Sequence, residues 1–162
     1  MTEQTTLSTE SKTAIDRELQ KFPADQKQSA VLFALKWVQK ENGGHLTKAL
    51  MNAVADYLTM PAIAVYEVAS FYSMYDLNPV GRHKVSVCNS ISCMLRGSEE
   101  LYEHIQKRYK LDEEQTSPDG KFTLKECECL GACIGAPAVQ IDDQYHEKLD
   151  KEKLEELINA LD

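Results

Sequence analysis

Little in this 162-residue chain belongs to a membrane protein, a nucleic-acid binder or a self-contained enzyme. Its longest unbroken apolar run, residues 30–35, falls far short of the roughly 20 residues that a helix needs to cross a bilayer, so no direct membrane insertion is expected. The opening residues, Met-Thr-Glu-Gln-Thr-Thr, hold no basic stretch followed by an apolar one and no Arg-rich amphipathic pattern. Neither a secretory signal nor a transit peptide is therefore expected, and the chain reads as cytoplasmic. Positive charge is scarce: 18 Lys and Arg stand against 26 Asp and Glu, a formal charge of -8. Affinity for phosphate backbones comes mostly from Lys and Arg displacing counterions, so nucleic acid is not an expected partner. Phosphate cradles are missing too. The seven glycines form no G-x-G-x-x-G and no P-loop, and no nucleophile, base and orienting group stand out together, so no independent catalytic site is expected in this chain.

Some cysteine patterns are also absent. There is no C-x2-C, the spacing of tight zinc knuckles and thiol redox sites, and no Cys-x-His pair of the Rieske kind. The histidines, His45, His83, His104 and His146, read as surface residues or locally hydrogen-bonded ones. Five cysteines, an odd number in a chain expected in a reducing compartment, argue against a disulfide framework and leave metal binding or thiol chemistry.

What is present is a globular composition, 43% hydrophobic and 27% charged. Residues 1–10, rich in Thr, Ser, Glu and Gln, read as a flexible tail, and residues 11–80 as a small helical bundle. In the bundle, Pro23 opens a helix through Ala30, Phe33, Leu35 and Trp37 that stops at Asn42-Gly43-Gly44. Thr47 caps the next helix, where Leu50, Met51, Val54, Ala55 and Leu58 follow the spacing of one buried face; Pro61 begins another through Val65, Val68 and Ala69.

Past Asn78-Pro79-Val80-Gly81 the period shortens to two. Lys84-Val85-Ser86-Val87 reads as a strand running into Cys88, and Ser98–Tyr109 as a helix with Leu101, Ile105 and Tyr109 on one face. A turn at Pro118-Asp119-Gly120 precedes a strand over Phe122–Cys127, and Ala138–Ile141 forms another strand. A hairpin through Asp142-Asp143-Gln144 leads to a last helix, capped by Asp150 and carrying Leu154, Leu157, Ile158 and Leu161 on one side. The order β, α, β, β, α predicts an α/β sandwich over residues 81–162. That half holds 11 basic and 17 acidic side chains against 7 and 9 in residues 1–80, so most of the excess negative charge lies with the cysteines.

Cys88 and Cys93 form a C-x4-C pair at one strand end, and Cys129 and Cys133 a C-x3-C pair in the loop after another; Cys127 precedes Cys129 by two. A small sheet can bring two such strand ends together. Four thiolates converging from two loops suit a soft guest, either zinc or an iron-sulfur cluster. Four and three intervening residues allow the wider sulfur separation of a two-iron cluster, which favours [2Fe-2S] over zinc and leaves zinc open. Core packing accounts for one or two buried cysteines, not for two short-spaced pairs. Strand alternation does not choose between Cys127 and Cys129, which would face the same side.

Three segments carry a family resemblance: Cys88-Asn-Ser-Ile-Ser-Cys93-Met-Leu-Arg-Gly97-Ser98, Asp119-Gly120-Lys-Phe-Thr-Leu124 and Glu128-Cys129-Leu-Gly-Ala-Cys133-Ile-Gly-Ala-Pro137. In order and spacing they resemble the thioredoxin-like [2Fe-2S] ferredoxin subunits of respiratory NADH:quinone oxidoreductase, complex I. Met60-Pro61, Val65-Tyr66-Glu67-Val68-Ala69 and Phe71-Tyr72-Ser73-Met74-Tyr75 match the same family, so the resemblance covers nearly everything after the tail. It implies an α/β fold in which a thioredoxin-like [2Fe-2S] domain, residues 81–162, is preceded by the helical bundle. It also implies Cys88, Cys93, Cys129 and Cys133 as ligands of one [2Fe-2S] cluster, with Cys127 outside the set at a position where the family commonly has an apolar residue. The implied role is that of an electron-transfer subunit of an oxidoreductase, beside a flavoprotein subunit that binds FMN and NADH. Other subunits of the peripheral arm are further implied partners, and the implied location is peripheral to a bacterial inner membrane through the complex. Related subunits of NAD-linked hydrogenases and formate dehydrogenases imply an equivalent diaphorase role as the alternative.

Two expectations concern the surroundings of the site. Glu126 and Glu128 flank the second cysteine loop in an acidic half, which favours a low reduction potential, about -400 mV as in plant-type centres, although plain solvated strand charge explains them equally well. Backbone N–H groups of Gly131, Ala132 and their neighbours can offset some of this by bonding sulfur. A different class also fits the outline, since the helices on either side of Met60-Pro61 resemble a helix-turn-helix, which with an iron-sulfur or zinc site would make a regulator. Residues 61–72 hold no Lys or Arg and one Glu, however, and offer nothing to phosphates or guanine edges. Tyr66, Phe71, Tyr72 and Tyr75 read better as bundle core together with a docking patch for the flavoprotein.

Overall fold

Three polar side chains start three helices. In the computed structural model, which describes residues 6–112 and 115–162, Ser8 accepts from the Ser11 N–H at 2.8 Å, Thr47 from Leu50 at 3.2 Å and Asp150 from Lys153 at 2.8 Å. Each bond satisfies one of the amide donors that a helix start leaves free, worth about 1 kcal/mol. The chain divides between Pro79 and Val80 into two compact units.

The first unit contains α1 (Thr9–Leu19), α2 (Val31–Glu41), α3 (Lys48–Leu58) and α4 (Ala62–Phe71). Ile15, Ala34, Leu35, Val38, Leu46, Val54, Leu58 and Val65 meet in one core. Each fully buried aliphatic side chain there stabilises the fold by roughly 1.5–3 kcal/mol. Buried Gln39 ties the loop after α4 to α2: its amide donates to the Met74 carbonyl at 3.1 Å and its carbonyl accepts from the Asp76 N–H at 2.7 Å.

Three expectations about this unit are corrected. The tail does not extend to residue 10, because Leu7 is buried in the core and Ser8 caps α1; residues 1–5 lie outside the described residues. Pro23 does not open a helix. A short 3-10 turn, Lys27–Ala30, precedes α2, which begins at Val31. Pro61 occupies the cap of α4 rather than its first turn.

The second unit contains β1 (His83–Cys88), α5 (Ile91–Met94), α6 (Ser98–Tyr109), β2 (Phe122–Cys127), β3 (Ala138–Ile141), β4 (Gln144–Glu147) and α7 (Lys151–Asn159). The sheet order is β2-β1-β3-β4, with β1 and β2 parallel and the other neighbours antiparallel. The parallel pair needs a crossover, which α5 and α6 supply. Val85, Val87, Phe122, Leu124, Val139 and Ile141 pack against Leu101 and Ile105 of α6 and Leu154 and Ile158 of α7. Side chains alternate along a strand, so Cys88, Cys127 and Ala138 point away from that core. The fold is α/β, as expected, and the hairpin expected through residues 142–144 is present, with β4 as its second arm.

Candidate metal centre

Cys88 ends β1 and Cys127 ends β2, and the parallel register pairs them directly. Both cysteine loops therefore leave from one end of the sheet, which is what parallel neighbours bring about and a hairpin would not. In the first loop, the Asn89 N–H donates to the Cys127 carbonyl at 3.0 Å, and the Cys93 and Met94 amides donate to Ser90 O at 2.9 and 3.0 Å, folding the chain into α5. This carries Cys93 back beside Cys88. Both are 2% exposed and pack with Ala136 and Ala138, with Cys127, Leu130 and Ala132 around them.

The second loop is more open. Cys129 and Cys133 are both exposed, Cys129 accepting an N–H from Gly131 at 3.4 Å. Gly131 has φ of 73°, a left-handed turn that suits glycine and lets its amide face back to that sulfur. The loop is anchored further on, where Lys148 N–H donates to the Gly135 carbonyl at 2.7 Å, and a Cβ on Gly135 would lie 2.6 Å from Glu147 Cβ.

The electrostatics suit a sulfur anion at Cys88 rather than at Cys93. Burial raises the Cys88 thiol, but N–H donors from Leu130 and Ser90, with Cys93 and the Ser90 side chain, outweigh it and bring the thiol below its ordinary value. Burial raises Cys93, assisted by the neighbouring Cys88 and Cys133 and partly offset by a donor from Ala138. Cys127 is pushed up to about 12 by burial and then by the charges of Cys88 and Cys93. Amide donors converging on a buried thiolate, beside two exposed thiols on the facing loop, fit a polynuclear sulfur-ligated group. Among the described residues, no three His, Cys, Asp or Glu side chains stand close enough to hold a single metal ion.

Packing thus groups Cys88, Cys93 and Cys127; Cys133 acts on Cys93 through its charge, and Cys129 and Cys133 are both exposed. The expected donation from Gly131 is present, and its neighbour Leu130 adds another, to Cys88. Glu126 is exposed and accepts from the Asn89 amide at 3.2 Å, so it closes a loop contact besides adding charge. Ser98, at the start of α6, was not anticipated. It is 1% exposed, its hydroxyl has no hydrogen-bond partner among the described residues, and it lines a cleft of about 170 Å³ with Cys88, Asn89, Tyr102 and Glu126. Only its position directly after Gly97 and before a helical repeat could have drawn attention to it.

An apolar rim surrounds the loops. Ile91, Met94 and Leu95 on the first and Ile134 on the second are exposed, Leu95 by 76% and Ile134 completely. In the helical unit, Ile63, Tyr66, Phe71 and Tyr72 are exposed with no Lys or Arg on α4. Tyr75 is not part of that patch. It is buried, and its hydroxyl donates to the Leu32 carbonyl at 2.8 Å.

Known proteins bear on these features. The sequence pattern described as thioredoxin-like [2Fe-2S] ferredoxin matches residues 15–162. A protein from Rickettsia prowazekii (strain Madrid E), named as a subunit of NADH-quinone oxidoreductase, is 44% identical over 140 residues, covering 86% of this chain and 79% of that one. Another protein so named, from Rhizobium meliloti (strain 1021), is 41% identical over 134 residues, covering 83% and 79%. Among solved structures, an NAD+-reducing [NiFe]-hydrogenase in the H2-reduced state superposes with a TM-score of 0.68 at 20% identity. That match covers 80% of this chain but 21% of the solved one, and likeness at this identity speaks to the fold. No helix among the described residues is long and apolar enough to cross a membrane.

Proposed function

The chain belongs to the thioredoxin-like [2Fe-2S] ferredoxin family, and from that premise we propose that it is the electron-transfer subunit of an NADH-quinone oxidoreductase. The observation that carries this is identity above 40% to proteins named as subunits of that enzyme, over more than four fifths of the chain. The cysteine loops are consistent with it. Cys88, Cys93, Cys129 and Cys133 are the residues that would hold one [2Fe-2S] cluster, which when bound supplies a one-electron site. The chain's own contribution is to fix the buried pair through α5 and to aim the Leu130, Ser90 and Ala138 amides at the sulfurs. The acidic surroundings, Glu126 and Glu128 among them, oppose added negative charge and favour a low potential.

The partner in this reading is a flavoprotein subunit that binds NADH and FMN, with other subunits of the peripheral arm beyond it, and the chain is held at the membrane surface through them. The apolar rim of Ile91, Met94, Leu95 and Ile134 supports docking close to the cysteines, where electron exchange requires it. Tyr66, Phe71 and Tyr72 support a second contact from the helical unit.

Purified without air, the protein should carry about two irons and two acid-labile sulfides per chain. It should stay oxidised with NADH alone, accept an electron from dithionite, and become reducible by NADH once the flavoprotein is added. Stoichiometric zinc without labile sulfide, or reduction by NADH in the absence of flavin, would refute the reading.

A further inference from the structure

Five thiols surround a site for four, and the odd one is not remote. Cys127 lies in register with Cys88 on the same face of the sheet. It packs in the small cluster of Cys88, Cys93, Ala136 and Ala138. Cys129, two residues beyond the end of β2, is exposed, and its sulfur accepts a long bond from the Gly131 N–H. Packing at position 127 needs only a small apolar side chain, whereas a thiol there adds a soft donor beside two others.

We infer that Cys127 is a stand-by ligand, which takes over the iron position of Cys129 when Cys129 is lost or displaced. The inference rests on the reading above, in which Cys129 is the resident ligand. Exchange would widen the second pair from three intervening residues to five, close to the four of the first pair. The chemistry balances without an oxidant: one iron–sulfur bond replaces another, and the proton leaving the Cys127 thiol goes to the departing Cys129 thiolate. Cys127 is a ligand in waiting because it is half-buried beside Cys88 and Cys93 on the face of the sheet that carries the site.

The test uses the full chain with Cys129→Ser and Cys129→Ala, each alone and combined with Cys127→Ser, reconstituted anaerobically with ferrous iron and sulfide. Cys129 is exposed, so neither change disturbs a packed core. Iron and sulfide content, absorption, and electron paramagnetic resonance after dithionite are the readouts. Both single variants should keep about two irons per chain and the parent's sulfur-only spectra, and adding Cys127→Ser should abolish them. Single variants that fold but bind no cluster, or that show an oxygen-ligated spectrum unchanged by Cys127→Ser, would overturn the inference. Cys127→Ser alone separates the two readings: an intact spectrum upholds Cys129 as resident ligand, and a bleached one overturns that assignment itself.

Discussion

The two cysteine loops leave the same end of the sheet and are held in opposite ways. The first is held from inside, since Cys88 and Cys93 are sealed against Ala136 and Ala138 and the intervening chain is wound into α5. The second is held from outside, by a glycine turn at Gly131 and an anchor at Gly135, with Cys129 and Cys133 open to solvent. A site built this way has one preformed wall and one that a ligand can finish.

The comparison is sharpest in single substitutions. Cys88→Ser and Cys93→Ser should abolish cluster binding and also destabilise the chain by about 1–3 kcal/mol, because each buries a hydroxyl in an apolar cluster. Cys133→Ser should abolish the cluster while leaving the urea midpoint of the cluster-free chain within about 0.5 kcal/mol of the parent, since its side chain is exposed. Equal stability losses at all three positions would erase the distinction between the loops.

Thiol reactivity gives the next largest contrast. In the native cluster-free chain, iodoacetamide should modify Cys129 and Cys133 at least about tenfold faster than Cys88 and Cys93, because attack needs access to the sulfur. Peptide mass spectrometry of timed samples reads this directly, and uniform labelling would mean that the first loop opens as readily as the second.

A smaller effect tests whether the far end of β1 is independent of the cysteines. His83 bonds Asp142 at 2.7 Å and Asp162 at 2.9 Å, and its pKa is raised by the Asp142 hydrogen bond first, against some desolvation, with Asp162 adding to it. A raised folded value means that the protonated histidine stabilises the fold. That stabilisation is fully present below about pH 6.5, the unfolded value, and fades as pH rises through the folded one. The urea midpoint should fall over that window in the parent and less in His83→Gln, while the alkylation pattern of the four cysteines stays unchanged.

The smallest expected change in stability is at Ile134. Fully exposed, it can go to Ser with less than about 0.5 kcal/mol lost. Binding to the flavoprotein should nonetheless weaken in a titration if the apolar rim is the docking edge. Unchanged affinity would move the contact to the helical unit.

Much of the fold is legible along the chain. The α6 helix, β2 and β3 have the limits that periodicity predicts, and the caps at Thr47 and Asp150 form the bonds anticipated for them. These features depend on a period of two or 3.6 and on neighbours within four residues. Where such signals fade, the structure departs from expectation. The fourth strand, Gln144-Tyr145-His146-Glu147, is a mostly exposed edge without an apolar face, so the turn signal at residues 142–144 points to it and no alternation gives its limits. Leu7 lies in a polar stretch, and only its burial shows that the chain is ordered there. Pro23 resembles a helix start because proline suits a first helical turn, yet residues 23–29 are exposed and α2 begins only at Val31.

The sequence by itself determined the order of elements, the acidic surroundings and the two spaced cysteine pairs, because composition, period and spacing are properties of the chain alone. Only the tertiary structure decided which sulfurs meet. Parallel pairing of β1 with β2 sets Cys88 beside Cys127, and the end of β2 at Cys127 releases Cys129 from strand alternation. The burial of one pair, the exposure of the other and the unpartnered hydroxyl of Ser98 likewise follow from contacts between distant segments. Such contacts are set by register and packing, which no local pattern encodes.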